Sequence, residues 1–462
     1  MMKKTILIIA AAALTASCSI YSKYERPENV VPLDSLYRAE LTDVSAAVDS
    51  SSLAYMTWEE IFTDPYLQSL ITEGLENNTD YLTAALRVEQ AQARLMAAKL
   101  SYLPSLNLAP QGGINAANVN GDWSSSWTYS AGVSASWDID LFGSLLNAKR
   151  SSQAVLLQQE AYRQAVRSQL IATIAGTYYS ILMLDEQVSV SEETLGLWKE
   201  QVRAMEAMFR YGRITENELT QSRAQMYSLE ASLENLKRQR QETENALCSV
   251  LGRVSSGIDR GQLSDQKLPE NLDAGIPLEL LSNRPDVYYA EMALASAYYN
   301  TNQARSAFYP KLTLSGSAGW TNSLGQAIVN PGGWILSALA SLAQPIFNKG
   351  QLVSNLRVSK AEEEIALLNY RQALLDAGEE VNNALYALES YDIMKEKHEA
   401  QLKDLKRTAE TSEDLYRTNK CSYLEMLVAQ QSYLQAQLNV VSDIYNRLQS
   451  GVNLYRAVGG GR

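Results

Sequence analysis

The stretch RPDVYYAEMALASAYYNTNQARSAFYPKLTLSGSAGW, residues 284–320, changes its hydrophobic period midway and so decides the fold. Asn283 can cap a helix whose first position is Pro285, where the missing N–H of proline costs nothing. Ala290, Leu294, Ala297, Ala304 and Phe308 carry a helical stripe as far as Tyr309, and Pro310 stops it. After Pro310 the period becomes two: Leu312, Leu314, Gly316, Ala318 and Trp320 alternate with Lys311, Thr313, Ser315, Ser317 and Gly319. That pattern predicts a strand with one apolar and one polar face.

The same joint occurs once before. Asn78 and Asp80 open a segment through Ala84, Ala91 and Ala98 that reaches Tyr102-Leu103-Pro104 and then Leu106-Asn107-Leu108. Pro104 and Pro310 stand 206 residues apart, as do Asp80 and Asp286. Phe209-Arg210 and Tyr416-Arg417 repeat at 207, as do Glu218 and Glu425. An ordered series of matches at offsets of 206–207 is an internal duplication.

No apolar run after the first seventeen residues reaches the roughly 20 that a membrane helix needs, so any span must be made of strands. Trp127, Tyr129, Ala131, Val133, Ala135, Trp137 and Ile139 share one face of a second candidate strand, and small polar residues share the other. Five of the seven tryptophans (Trp123, Trp127, Trp137, Trp320 and Trp334) lie in or beside the predicted strands, as in an interfacial aromatic girdle. The fourth strand is read at Trp334–Phe347. Gly112–Asp122 and Asn322–Gly333 read as glycine- and asparagine-rich loops. Four strands cannot close a barrel, since about eight are needed merely to enclose packed side chains. The chain must therefore oligomerise to remove its sheet edges.

Proline is absent from Gln111 to Leu268 and from Ile346 to the end. Within those stretches, helices are predicted at Asn147–Met208, Leu219–Leu251, Gln351–Leu415 and Glu425–Tyr455. Leu434, Leu438, Val441, Tyr445, Leu448, Val452 and Tyr455 step by four and three, as do Leu195, Trp198, Val202, Met205 and Phe209. Such seams specify packed helix hairpins. Gly212 and Asn419 hold equivalent places in the two turns and suit a left-handed helix-ending residue.

Composition bounds the function. Against 52 acidic residues stand 40 basic ones, a formal charge of −12, which argues against nucleic acid as a partner. Residues 1–17 read as a signal peptide: Lys3-Lys4, an apolar run from Ile6 to Leu14, then small residues. Cys18 follows Thr15-Ala16-Ser17 in a stretch that resembles a lipoprotein cleavage site, with Leu14 four places before the cysteine instead of three, and ordinary signal-peptidase cleavage is the competing reading. Cys248 and Cys421 are read as free, packed thiols rather than a bridge. The single histidine, His398, reads as a solvated surface residue. No phosphate loop, nucleophile elbow or zinc-type spacing is present, so neither enzyme activity nor a cofactor is expected.

Tyr24-x-Arg26-Pro27, Trp58…Phe62-x-Asp64-Pro65, Arg284-Pro285-Asp286-Val287 and the two Pro-terminated joints together carry a resemblance. The chain resembles outer-membrane efflux lipoproteins of the TolC-like family, NodT-type channel components of tripartite pumps, over essentially everything after Cys18. The resemblance implies a mainly helical fold with transmembrane strands, in which three copies share one twelve-stranded barrel. It also implies a lipid-anchored tether at residues 18–57. A first repeat would follow at 58–254, with strands within 105–140 and a hairpin at 147–252. A girdle linker would span 255–284. The second repeat would occupy 285–457, with strands within 311–347 and a hairpin at 349–457, leaving a disordered tail at 458–462. By the same resemblance the hairpin tips would form a periplasmic gate at Leu424, Glu425 and Val428. Arg210, Gly212, Arg213, Arg417, Asn419 and Lys420 would lie at the tips that meet an adaptor protein, although Arg210 and Arg417 read first as partners of nearby acids. Intrachain seam packing is the competing reading for Leu424 and Val428. The implied partners are a periplasmic adaptor and an inner-membrane RND-type transporter, and the implied cargo is small toxic molecules, drugs or metal ions. An ATP-driven protein-secretion duct and a passive porin are the competing functions.

Overall fold

The computed structural model describes residues 21–27, 30–31, 56–269, 284–321 and 333–460. Cys18, the signal peptide, the loop at 322–332 and residues 270–283 of the linker, with the cap Asn283, therefore lie outside the described residues. The chain forms two compact units: residues 1–28, 87–160 and 289–371 in the first, and 29–86, 161–288 and 372–462 in the second.

The elements are α1 (Trp58–Ile61), α2 (Pro65–Asn77), α3 (Thr79–Leu100), β1 (Ser105–Leu108), β2 (Gln111–Val119), β3 (Asp122–Ile139), α4 (Ser144–Arg210) and α5 (Glu216–Val250). They continue with α6 (Pro285–Ser306), β4 (Lys311–Thr321), β5 (Gly333–Ala343), α7 (Gln351–Arg417) and α8 (Tyr423–Ala457). The duplication is plain in these bounds. Helices α3 and α6 have 22 residues each, α4 and α7 have 67, and α5 and α8 have 35, at offsets of 206 or 207. At 1.5 Å per residue α4 and α7 are each ~100 Å long.

In the first unit the strands form one antiparallel sheet in the order β1–β3–β4–β5, with β2 also on β3. Register puts Trp137 opposite Leu314, Val133 opposite Ala318 and Ala131 opposite Trp320, so one face is continuously apolar. The first repeat contributes three strands, where two were predicted. The predicted loop Gly112–Asp122 is instead strand β2 followed by a tight turn. Asn120 and Gly121 both take positive φ (58° and 98°), the geometry an Asn-Gly hairpin turn requires. Pairing of β2 along β3 overrides its weak strand propensity. Only Ala109-Pro110 interrupts that edge, because proline has no N–H for the ladder. At 18 residues β3 is far longer than the ten-residue spans expected, and β5 ends at Ala343, short of Pro345 and Phe347.

Residues 21–27, part of the expected tether, are docked on α6. Arg26 grips Glu291 with two bonds of 2.9 and 2.6 Å, and the Tyr24 N–H donates to the Tyr299 hydroxyl.

The core of the second unit gathers Ile61, Phe62, Leu67, Ile71, Tyr178, Tyr179, Leu247 and Tyr455 with Ile258, Leu263 and Leu268 of the linker. The Trp58–Leu70 segment is two helices, because Asp64 caps a new one at Pro65. Asp64 Oδ2 also accepts from the Tyr178 hydroxyl and from Gln266 Nε2, each at 2.7 Å, and thereby ties α2, α4 and the linker together. Burial, and next the Asp64 carboxylate, push the Tyr178 phenol up from its usual range. Helices α5 and α8 end on Gly252 and Gly459, both at positive φ. In each case the next residue bonds back five positions, Arg253 to Cys248 and Gly460 to Tyr455, closing a Schellman cap. The tail read as disordered is therefore packed through Gly460, whose carbonyl also accepts from Ser168.

Candidate functional site

The two hairpin tips of the second unit meet in one cluster. Met205 and Leu219 of the first hairpin bury against Tyr423 and Met426 of the second, and Tyr416 sets its ring edge-on to Tyr423 at 5.9 Å. Each tip is built the same way. Gly212 (φ 71°) and Asn419 (φ 59°) end the long helices. A capping box then starts the short one: Thr215 with Glu218, and Ser422 with Glu425. Glu425 Oε2 accepts from both the N–H and the hydroxyl of Ser422 at 2.8 Å, which holds its carboxyl below the usual range. Its first duty is thus to the helix end.

Leu424 and Val428 are 59% and 51% exposed, while Tyr423, Met426 and Ala429 take the buried face. Neither gate candidate fills the seam of its own chain. The equivalent positions in the first repeat, Asn217 and Gln221, are polar, so the apolar pair belongs to the second tip alone.

The basic tip residues behave differently from one another. Arg417 pairs with Glu413 at 2.6 Å, as expected of a surface i,i+4 pair. Arg210 forms no ion pair among the described residues and donates to the backbone carbonyl of Glu206 at 3.4 Å, while the Glu206 carboxylate is held by Arg223 at 2.6 Å. Arg213 and Lys420 make no ion pair among the described residues. Phe209, read as the end of the seam, is 40% exposed beside Tyr211 at 83%. Helical spacing runs on past the point where the partner helix turns away.

Three features escaped sequence reading. His398, expected to be solvated, bonds from Nδ1 to Asp443 Oδ2 at 2.5 Å, and Asp443 is buried. Asp443 sits 45 residues away on the other helix, so only the hairpin register reveals the pair. Asp185–Arg240 and Asp392–Arg447 are one cross-helix ion pair repeated at offset 207, a signal the duplication could have supplied. Finally, Arg284 is buried by its bonds to α7 and α8 rather than free to serve a partner. Cys248 and Cys421 are free thiols, but Cys421 is partly exposed rather than packed. Burial, and next Glu425, push its thiol up, away from the reactive thiolate. Among the described residues no group of three or more His, Cys, Asp or Glu could hold a metal ion, and no helix is long and apolar enough to cross a membrane.

Comparison with known proteins gives the same architecture. The chain is 29% identical to the probable outer membrane lipoprotein SilC of Salmonella typhimurium, over 100% of this chain and 99% of that one. It is 30% identical to the pyoverdine export outer membrane protein OpmQ of Pseudomonas aeruginosa, over 100% and 98%. A crystal structure of CusC superposes with a TM-score of 0.84 at 28% identity, covering 96% of this chain and 100% of that one. The family model described as outer membrane efflux protein matches residues 70–253 and 276–460, one match per repeat. The chain belongs to the outer membrane efflux protein family.

Proposed function

We propose that the chain is the outer-membrane exit duct of a tripartite efflux pump, assembled as a trimer that works with a periplasmic adaptor and an inner-membrane transporter. The observation that carries this reading is the sheet. Its apolar face is exposed through Trp127, Trp320, Leu336 and Leu342, and neither outer edge, β5 or the β1–β2 line, has a partner strand among the described residues. Such edges are completed by sister copies, and the apolar face is covered by lipid. Three copies would supply the sheet closure that one copy lacks, while the hairpins line a helical duct.

Within that reading, Cys18 carries the lipid anchor and the repeats keep the boundaries 58–254 and 285–457. Leu424 and Val428 narrow the duct at the second tip, with Glu425 beside them. Arg210, Gly212, Arg213, Arg417, Asn419 and Lys420 present the tips to the adaptor. The cargo is a small molecule or ion, as suits a chain with relatives named for cation and pyoverdine export. Energy comes from the transporter.

The test is the oligomeric mass of the detergent-purified mature protein together with its conductance in a planar bilayer. A trimer whose resting pore is closed or nearly closed supports the duct. A monomer without conductance overturns it, and constant high conductance identifies a passive porin.

A further inference from the structure

The joints between sheet and helices in the first unit carry an unbalanced charge. Residues 90–104, ending α3 and leading into β1, hold Arg94 and Lys99 and no acid. Residues 141–159, from β3 into α4, hold Lys149 and Arg150 and no acid. Along α6 into β4, residues 292–311 hold Arg305 and Lys311, again with no acid. From β5 into α7, residues 344–361 hold Lys349, Arg357 and Lys360, and no acid. At the chain's overall frequency these windows would hold about eight acidic residues, and they hold none.

The register places all four joints at one end of the sheet. At 1.5 Å per helical residue every one of these cations lies within ~15 Å of its joint. None of them forms an ion pair among the described residues. The two acids that end β3 are already engaged: Asp138 accepts from the Thr313 hydroxyl and Asp140 from the Leu146 N–H, each at 2.7 Å. Lys149 lies over the Tyr102 ring and Arg150 over that of Tyr299, so aromatic rings share the level of the cations. Arg150 Nη1 is buried without a hydrogen-bond partner.

We propose that this band binds the headgroups of anionic phospholipids in the leaflet on the helical side of the sheet. The inference rests on the membrane-spanning reading above. Unpaired cations from four segments of both repeats, gathered within ~15 Å of the sheet end where the apolar face stops, match a band of charge. A soluble anion would instead call for a convergent pocket. A basic residue held at an anionic membrane surface is worth a factor of about five in binding.

The experiment equilibrates the purified full-length oligomer with mixed micelles of equal phosphatidylglycerol and phosphatidylcholine, and native mass spectrometry counts the lipid retained. Phosphatidylglycerol should be enriched, and 1 M salt, where screening acts within about 3 Å, should abolish the enrichment. A Lys149→Gln, Lys349→Gln, Arg357→Gln variant should lower it at least about fivefold. A charge-matched Lys395→Gln, Lys397→Gln, Lys403→Gln variant should leave it unchanged. Equal retention of both lipids, or enrichment indifferent to salt, overturns the proposal even if the triple variant fails to fold. So does a triple variant that alters the ion selectivity of conductance while retaining lipid normally, since its cations would face the lumen. Failure to insert into any bilayer would instead sink the membrane reading itself.

Discussion

Arg284 donates from Nη1 to the carbonyl oxygen of Ala457 at 2.7 Å and so binds the start of α6 to the last turn of α8. One repeat earlier, Asn78 Nδ2 donates to the carbonyl of Val250 at 2.8 Å and binds the start of α3 to the last turn of α5. The two ties occupy equivalent places, yet the second is the stronger device. Its guanidinium also pairs with Asp286 and Glu380 at 2.7 Å each.

Removing the two ties should therefore differ in cost. Arg284→Ala loses charge-assisted bonds and uncovers a helix-end carbonyl, for about 2–3 kcal/mol, with Asp286 and Glu380 too exposed to add the full cost of a stranded charge. Asn78→Ala loses one neutral bond to that carbonyl and should cost about 1 kcal/mol. Urea unfolding of the detergent-solubilised protein checks the order, and equal costs would mean that the added carboxylates contribute nothing.

The docked N-terminal segment makes a second prediction. Glu291 has only 5% of its side chain exposed, and Arg26 neutralises it. Arg26→Ala should destabilise the first unit by about 1–3 kcal/mol, less than a fully buried pair because Arg26 is half exposed. Glu291→Gln should cost less, and in the double variant the two losses should not add. Faster tryptic cleavage at Lys23 reports release of the segment. Additive losses would show that the two residues act separately.

For the gate, Leu424→Ala combined with Val428→Ala should raise the resting conductance severalfold without lowering stability by more than about 1 kcal/mol, because neither side chain is packed in its own chain. Tyr423→Ala should instead destabilise the tip by about 3 kcal/mol, as expected for a buried aromatic. Unchanged conductance in the double variant would remove those positions from the gate.

The capping box at the second tip gives a pH dependence. Hydrogen bonds from Ser422 and Cys421 lower the pKa of Glu425 below its ordinary 4.5. A carboxyl with a depressed folded pKa stabilises above its unfolded value, and that stabilisation is lost as pH falls through the folded one. Amide exchange in the first turn of α8, corrected for intrinsic rates, should therefore quicken below pH 4.5. Glu425→Gln keeps the box and should flatten the profile. A profile identical to the wild type would assign the pH response to another group.

Much of this was legible in the sequence. The period change at Pro310, the 206–207 offset and the seams each arise from local repetition, so the helix hairpins and the strand faces could be read from residue order. The Asn120-Gly121 turn was legible too, but the glycines and asparagines around it mimic a loop until β3 supplies a ladder for β2. The gate residues were legible only as positions, since their exposure depends on which face the partner helix covers.

Sequence alone determined the alternation of helix and strand, the doubling of the fold and the shortage of strands for a closed barrel, because each is a matter of period or count. Tertiary structure alone decided that Asp64 meets Tyr178 and Gln266, that Asp443 meets His398, and that Leu424 and Val428 stay uncovered. Those facts join or separate residues tens to hundreds of positions apart. No local periodicity records such contacts, since they exist only once the hairpins have chosen their register.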